Sequence, residues 1–284
     1  MPFDIQQALG ADLKHVEFSW TRDDVILYHL GIGAGVRWQD ERELEYTYEK
    51  QLKVLPTFAV IPVLAAAGIA LSAPGIEVSP LAIVHGEHEI LQHRALPVEA
   101  TVISQPRISG IYDRGTGAVI EIEVVTSRAD SDKKLFTNIW SLFVRGEGGF
   151  GGEAGPKNEV RVPDTKPDMT VEIPILPQQA QIYRLSGDKN PYHVDPKAAE
   201  KAGFKSPILH GLCSFGMLCK AVVDHMLDGD VSKVSRFRGR FAKPVLPGTA
   251  ITASFWQQGD RVIIASETLG TGTSVLTNAW LEVK

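Results

Sequence analysis

The chain repeats itself, and that constrains its fold more than any other feature. The segment LFTNIWSLFVRG carries Thr137, Asn138 and Trp140, and VLTNAWLEVK carries Thr277, Asn278 and Trp280, 140 positions later. Upstream, HRALPVEATVIS parallels AKPVLPGTAITAS, pairing Leu96 and Pro97 with Leu246 and Pro247 at an offset of 150, and YHLG at Tyr28 echoes YRLS at Tyr183. The matches keep the same order in both halves while the offset drifts, as expected of a duplication with insertions, one of them around ISGIYDRGTG. The 284 residues divide into two units of about 140, each of ordinary domain size.

Each half carries the same succession of patterns. Residues 57–72 and 209–227 are apolar nearly all round, which predicts a long helix buried on most sides in each half. Strand-like segments follow, near 82–92, 98–105, 117–129 and 134–145 in the first half. In the second they are KVSRFRGRFA, TAITASFWQ, RVIIASETL and SVLTNAWLEV, set apart by Pro247-Gly248, Gly259-Asp260 and Gly270 to Gly272. A buried helix followed by hairpin-linked strands predicts an α+β unit, an antiparallel sheet wrapped around its helix. A Gly-, Pro- and charge-rich stretch separates the halves. The expected organisation is therefore a first repeat over 1–150, a linker over 151–168 and a second repeat over 169–284.

Composition removes several function classes. A net charge of -5 argues against a general nucleic-acid binder, so any anionic ligand must meet a local cluster of positive charge. Pro56, Pro62, Gly68 and Pro74 interrupt the greasiest region, and no segment has the roughly 18 apolar residues of a membrane span. The opening MPFDIQQALG lacks the pattern of a signal peptide, LEVK is not a peroxisomal address, and Cys213 and Cys219 stand six apart on one helix, too far round for a disulfide. These readings predict a cytoplasmic protein with reduced thiols and neither a nucleic-acid nor a membrane partner.

Several motifs fail on spacing. GIGAG at Gly31 lacks the third glycine of a dinucleotide loop and reads as a turn, and the glycines from Gly146 to Gly155 lack a following Lys-Ser/Thr. His88 and His93 are five apart where a zincin helix needs four, and GLCSFG around Ser214 is one residue too long for a nucleophile elbow. No metal site is expected.

The stretch YRLSGDKNPYHVDPKAAEKAG is richer. Asp195 suits an N-cap, Pro196 a first helical position and Gly203 a helix end, predicting a short helix over 196–202. Gly187, Asn190 and Pro191 turn the chain, which sets Asp188 and His193 on either side of a compact turn. A turn alone would account for this pattern, with Asp188 capping it and His193 packed on the helix neck. Gly211, at the start of the second apolar helix, adds unpaired N–H groups at a positive helix end, suited to negative charge on a carbonyl oxygen. An acid/base pair, an oxyanion donor and an apolar helix together suggest a catalytic pocket.

The same residues resemble the MaoC-like family of (R)-specific enoyl-CoA hydratases 2, whose fold is the hot-dog. The shared motif runs through Tyr183, Ser186, Gly187-Asp188-Lys189-Asn190-Pro191, Tyr192, His193 and Ala199, with HGL at His210 to Leu212. Tyr192 departs from the usual aliphatic residue. The first half resembles the N-terminal repeat of the two-repeat members through LGIGAG, LPTFAV, HGEHEI and LFTNIWSLFVRGEGGFGG, so the likeness covers most of the chain. It implies a double hot-dog, two antiparallel sheets each around a central helix. It also implies hydration of trans-2-enoyl-CoA to (3R)-3-hydroxyacyl-CoA by Asp188, His193, Asn190 and Gly211, with Tyr183, Ser186, Tyr192, His210 and Leu212 binding substrate. No cofactor is implied, since CoA is part of the substrate, and a homodimer is expected. The first repeat has no Asp-x-Asn-Pro-x-His equivalent and is expected to make room for the acyl chain. Arg236, Arg238 and Arg240, on one strand face by their period of two, and nearby Lys243 are the expected partners of CoA phosphates. Three readings compete: dehydration of carrier-protein thioesters or hydration of steroid or other branched side-chain enoyl thioesters, non-catalytic thioester binding, and thioester hydrolysis.

Overall fold

The computed structural model describes residues 2–284. The first repeat begins with α1 (Ile5–Leu9), β1 (Val16–Trp20), α2 (Arg22–Gly31), α3 (Leu44–Thr47) and α4 (Leu64–Leu71). Four strands follow: β2 (Ile83–Gln92), β3 (Ala100–Asp113), β4 (Gly117–Arg128) and β5 (Lys134–Arg145). The second begins with β6 (Met169–Pro174), α5 (Gln179–Tyr183), α6 (Pro196–Lys201) and α7 (Gly211–Met226). It closes with β7 (Val234–Phe241), β8 (Ala250–Gln258), β9 (Arg261–Thr268), the two-residue β10 (Thr273–Ser274) and β11 (Leu276–Val283).

The strands form one antiparallel sheet in the order β1-β3-β4-β5-β2-β7-β11-β9-β8-β6, with β10 beside β9. The order is a palindrome of the two repeats about the β2–β7 junction. The repeated Thr-Asn-x-Trp lands on the equivalent strands β5 and β11, and the repeated Leu-Pro precedes the equivalent strands β3 and β8. Each repeat is thus a hot-dog sheet, and Glu87 to Leu91 of β2 pair with Arg236 to Arg240 of β7 to join the two into one. That pairing satisfies backbone groups that a lone repeat would expose at its edge.

Alternation decides which side of the sheet carries the core. Phe237 and Gly239 of β7 are buried toward the helices, whereas Arg236, Arg238 and Arg240 face outward. On that outer face the 151–168 segment, free of helix and strand, is strapped down. Val160 packs against Trp256, Ile263 and Trp280, and Trp256 Nε1 donates to Thr165 O at 2.8 Å. The ISGIYDRGTG insertion lengthens a hairpin: β3 continues past the expected residue 105 to Asp113, which pairs with Ala118 of β4.

The two helices differ more than their compositions suggested. Residues 211–226 form one helix with 13 of its residues, Leu212 to Asp224, buried. Residues 57–72 do not form one: a 3-10 turn at Pro56–Val60 is followed by α4, only eight residues long. Pro56 and Pro62 lack the N–H that a continuous helix needs, and Ala65 and Gly68 lie exposed, so this helix is short and one-sided. Leu64, the first residue of α4, lines a cavity shared with the second repeat.

Packing between the repeats is extensive. The rings of Tyr28 on α2 and Tyr183 on α5 lie 6.1 Å apart, and a Cβ on Gly31 would stand 3.0 Å from Tyr183 Cα. Buried Lys220 on α7 holds Glu43 Oε1 at 2.9 Å and Asp224 Oδ2 at 2.7 Å, while Tyr46 Oη donates to Asp224 Oδ1 at 2.7 Å.

Candidate active site

The turn carrying Asp188 is shaped by its neighbours. Gly187 has φ +140, outside the range comfortable for a side chain, and a Cβ there would meet Leu64 Cδ1 at 2.8 Å. Asn190 N–H donates to Asp188 Oδ1 at 3.1 Å, and a 3-10 turn over Pro191–His193 then brings His193 back toward Asp188. Asp195 caps α6 by accepting from Lys197 N–H at 2.8 Å, as its place before Pro196 predicted, and Gly203 closes that helix at φ +86.

His193 is oriented by one bond. Its Nδ1 lies 2.8 Å from Ile208 O; the carbonyl can only accept, so Nδ1 carries the proton and Nε2 keeps its lone pair. Burial pushes its pKa below the ordinary value, opposed by the bond to Ile208 and by the Asp188 charge, so the ring is neutral at pH 7 and able to take a proton. Behind it His210 stacks with ring centroids 3.6 Å apart and planes 21° from parallel, its Nε2–H directed at Asp188 O, 3.3 Å away. Burial, then His193 and Arg184, push the His210 pKa down to about 3. A second imidazolium therefore does not form against His193.

One ligating atom from each of Asp188, His193 and His210 lies within 4.8 Å of those of the other two. One carboxylate and two imidazoles can make a metal centre. Here His193 Nδ1 and His210 Nε2 both face backbone carbonyls, and His210 Nδ1 is buried, which leaves Asp188 and His193 Nε2 as the pair open to the cavity. Both residues line the cavity, where each can hydrogen-bond a water.

Gly211 supplies the third element. His210 is the extended N-cap of α7, and the amides of Cys213 and Ser214 turn back to its carbonyl. The first two amides, of Gly211 and Leu212, point out of the helix end, where the dipole is positive. Gly211 is exposed to the cavity, and a Cβ there would press on the Phe241 ring at 3.0 Å.

These groups share a cavity of about 300 Å³. Its walls come from both repeats: Leu64, Val84, His85, Trp140 and Arg145 from the first, and Tyr192, Phe204, Leu212, Phe241 and Lys243 among those from the second. An acid/base pair, an unpaired helix N-terminus and a mostly apolar chamber suit addition of water to a carbonyl-conjugated double bond.

Residues 18–146 match the family described as the MFE-2 hydratase 2 N-terminal domain, and residues 158–279 match the MaoC like domain. The chain is similar to enoyl-CoA hydratase ChsH3 of Mycobacterium tuberculosis, 43% identical over 93% of this chain and 92% of that protein. It is also 36% identical to a probable enoyl-CoA hydratase 2 of Dictyostelium discoideum, over 98% and 96% of the two chains. The chain belongs to the MaoC-like enoyl-CoA hydratase 2 family. Among solved structures of this fold, a MaoC-like dehydratase from Phytophthora capsici superposes with a TM-score of 0.88. The two are 27% identical, with 99% of this chain and 98% of that one covered.

Within this family architecture, the residues expected from sequence fall into two groups. Asp188, His193, Gly211, Tyr192, Leu212 and Lys243 line one cavity. Tyr183, Ser186 and His210 stand behind it: Tyr183 is buried with its ring 4.9 Å from that of His210, and Ser186 Oγ is buried. They stand behind Asp188 and His193 and are not among the residues that line the cavity. The exposed Asn190 side chain makes no cap bond, and this residue acts through its backbone N–H to Asp188.

The arginine assignment is corrected. Arg236 is paired with Glu89, and Arg238 with Glu87 at 2.6 Å and Glu89 at 3.5 Å. With Arg240 they occupy the outer face of β7, opposite the side that carries α7 and the cavity. The period of two placed them together correctly, but on the wrong face for this site. A cation that the sequence did not single out, Arg145, exposed at the end of β5, lines the cavity, as does Lys243. No local pattern in SLFVRG marks it.

Proposed function

We propose that this protein is an (R)-specific 2-enoyl-CoA hydratase, adding water reversibly to trans-2-enoyl-CoA to give (3R)-3-hydroxyacyl-CoA. The observation that carries this is the placement of Asp188 and His193 Nε2 on the same cavity as the Gly211 N-terminus. The thioester oxygen accepts from Gly211 N–H, which stabilises the enolate by about 3 kcal/mol, as one oxyanion donor does. The water held between Asp188 and His193 loses a proton as its oxygen bonds to the β-carbon. The α-carbon takes a proton from the same pair on the same face, so the protonation state is restored. The acyl chain runs into the part of the cavity that the first repeat lines, and Arg145 and Lys243 at the mouth meet the CoA phosphates. Dehydration is the same path reversed.

Incubation with a medium-chain trans-2-enoyl-CoA, with loss of enoyl absorbance and chiral resolution of the product, tests the reading. Formation of the (3R) alcohol, lost in Asp188→Asn, is the expected result; absence of turnover at every chain length would overturn it. Among the described residues no helix is long and apolar enough to cross a membrane. A reducing, cytoplasmic setting for the buried free thiols of Cys213 and Cys219 and a homodimer complete the proposal. Fractionation and sedimentation test these last two.

A further inference from the structure

The first repeat, which has no catalytic pair, places an unexplained polar cluster on the wall of the same cavity. His85 and Trp140 both line it. Their rings stack at 4.6 Å and 14°, and His88 closes the group, 5.3 Å from His85 and 4.8 Å from Trp140. His85 Nε2, His88 Nδ1 and Trp140 Nε1 are all buried and have no hydrogen-bond partner in the protein. A buried polar atom left without a partner costs about 1–3 kcal/mol, so three in one wall are expensive unless something else bonds to them.

Two irregularities of the sheet put these groups there. Strict alternation would send His85 to the outer face with Glu87 and Glu89. The register of β2 against β5 slips between His85 and Glu87, and this bulge at Gly86 turns His85 inward to join His88. A Cβ on Gly86 would lie 3.1 Å from Ser141 O, so the bulge is tightly seated. Trp140 lies opposite His88 and faces inward with it. Its repeat counterpart Trp280 faces outward, opposite Arg238, because β11 slips register between Thr277 and Trp280, where Asn278 has φ +50.

Two of the three free atoms have a fixed role. His85 Nε2 has no partner, and as an imidazole nitrogen it accepts or donates according to the tautomer. His88 Nε2–H donates to Asn138 Oδ1 at 2.9 Å, and Asn138 Nδ2 is fixed in turn by Ala59 O at 3.1 Å, so His88 Nδ1 is an acceptor. Trp140 Nε1–H is a donor only. The cluster offers a donor on Trp140, an acceptor on His88 and a nitrogen of either kind on His85, on an otherwise apolar wall. A hydroxyl, with one hydrogen to donate and lone pairs to accept, answers Trp140 Nε1–H together with one imidazole nitrogen.

We infer that His85 and Trp140 form a polar subsite that recognises a hydroxyl carried on the acyl part of the thioester, away from the reacting double bond. The inference rests on the hydratase reading for the orientation of the thioester. The nitrogens are closed off from solvent, so the subsite also requires a side-chain movement at the cavity wall when the ligand binds.

Binding is measured by calorimetry with saturated probes that need no turnover: decanoyl-CoA and its isomers with a hydroxyl moved along the distal half of the chain. The expected result is that at least one isomer binds wild-type protein about tenfold tighter than decanoyl-CoA. Trp140→Phe and His85→Phe, both ring-conserving, should each bring that ratio close to one. A ratio near one for every isomer in the wild type, or one preserved in both variants, would overturn the inference. So would an equal loss for hydroxylated and plain chains, since that would assign the nitrogens to the pantetheine arm. Failure of wild type to hydrate any enoyl-CoA while the binding ratio stands would refute the activity and leave the subsite intact.

Discussion

If Asp188 and His193 hold one water between them, they must act as a unit, and a double-mutant cycle measures this. Asp188→Asn keeps an oxygen to accept from Asn190 N–H and removes the charge. His193→Asn keeps a donor near the place of Nδ1, able to reach Ile208 O, and removes the base at Nε2. Loss of one general acid/base group costs roughly 10²–10⁴ in rate, about 3–5 kcal/mol. One ligating atom of each lies within 4.8 Å of the other's, and on the shared-water reading, once either is gone the other has no oriented water to act on. The double variant should therefore be about as slow as the slower single one, near 10³-fold down, where independent action would give about 10⁶. The assay is kcat/KM for hydration in the four proteins, with circular dichroism to show that each is folded. Additive losses, or a single variant with near-normal turnover, would refute the shared-water geometry.

Other outcomes follow from the same coordinates. Burial lowers the His193 pKa, so its base form persists as pH falls through 6.5, and the acid limb of kcat/KM should lie below that value; a limb above 6.5 contradicts this. His29 titrates at about 4 and His88 and His210 at about 3, all lowered chiefly by burial. Their contribution to stability is complete above 6.5 and lost as pH falls toward 4, at about 1.4 kcal/mol per pH unit for each, and urea midpoints at pH 7 and 5.5 measure it. Lys220→Met leaves buried Glu43 and Asp224 with the half-exposed Arg37 as the remaining cation, and should cost about 3 kcal/mol, seen as a Tm several degrees lower. Charge reversal at Arg145 and Lys243 together should raise the KM for CoA thioesters roughly tenfold at low salt and less at high salt. Arg238→Ala, which removes the partner of Glu87 and one of the two partners of Glu89, should lower Tm and leave that KM unchanged.

Local chemistry in the chain was legible wherever a short segment decides its own conformation. Gly187, Asn190, Pro191 and the Asp195-Pro196 cap fix the turn around Asp188 and His193, and the structure places the pair as that pattern implied. The apolar run of α7 and the strand alternation were also readable, because burial periodicity is written residue by residue. The break in the first apolar stretch was signalled by Pro56 and Pro62, yet hydrophobicity alone reads through a proline.

The sequence by itself determined that the fold is duplicated, that only the second copy has the acid/base turn, and that Arg236, Arg238 and Arg240 share a strand face. Tertiary structure alone decided which side of the sheet that face looks to, and so set these arginines against Glu87 and Glu89 while bringing Arg145 to the cavity. It likewise decided that Trp140 looks inward and its counterpart Trp280 outward, although both sit in Thr-Asn-x-Trp. Side-chain facing in a sheet has a period of two, so a one-residue slip in pairing reverses it. Where such slips occur depends on backbone registers between strands far apart in the chain.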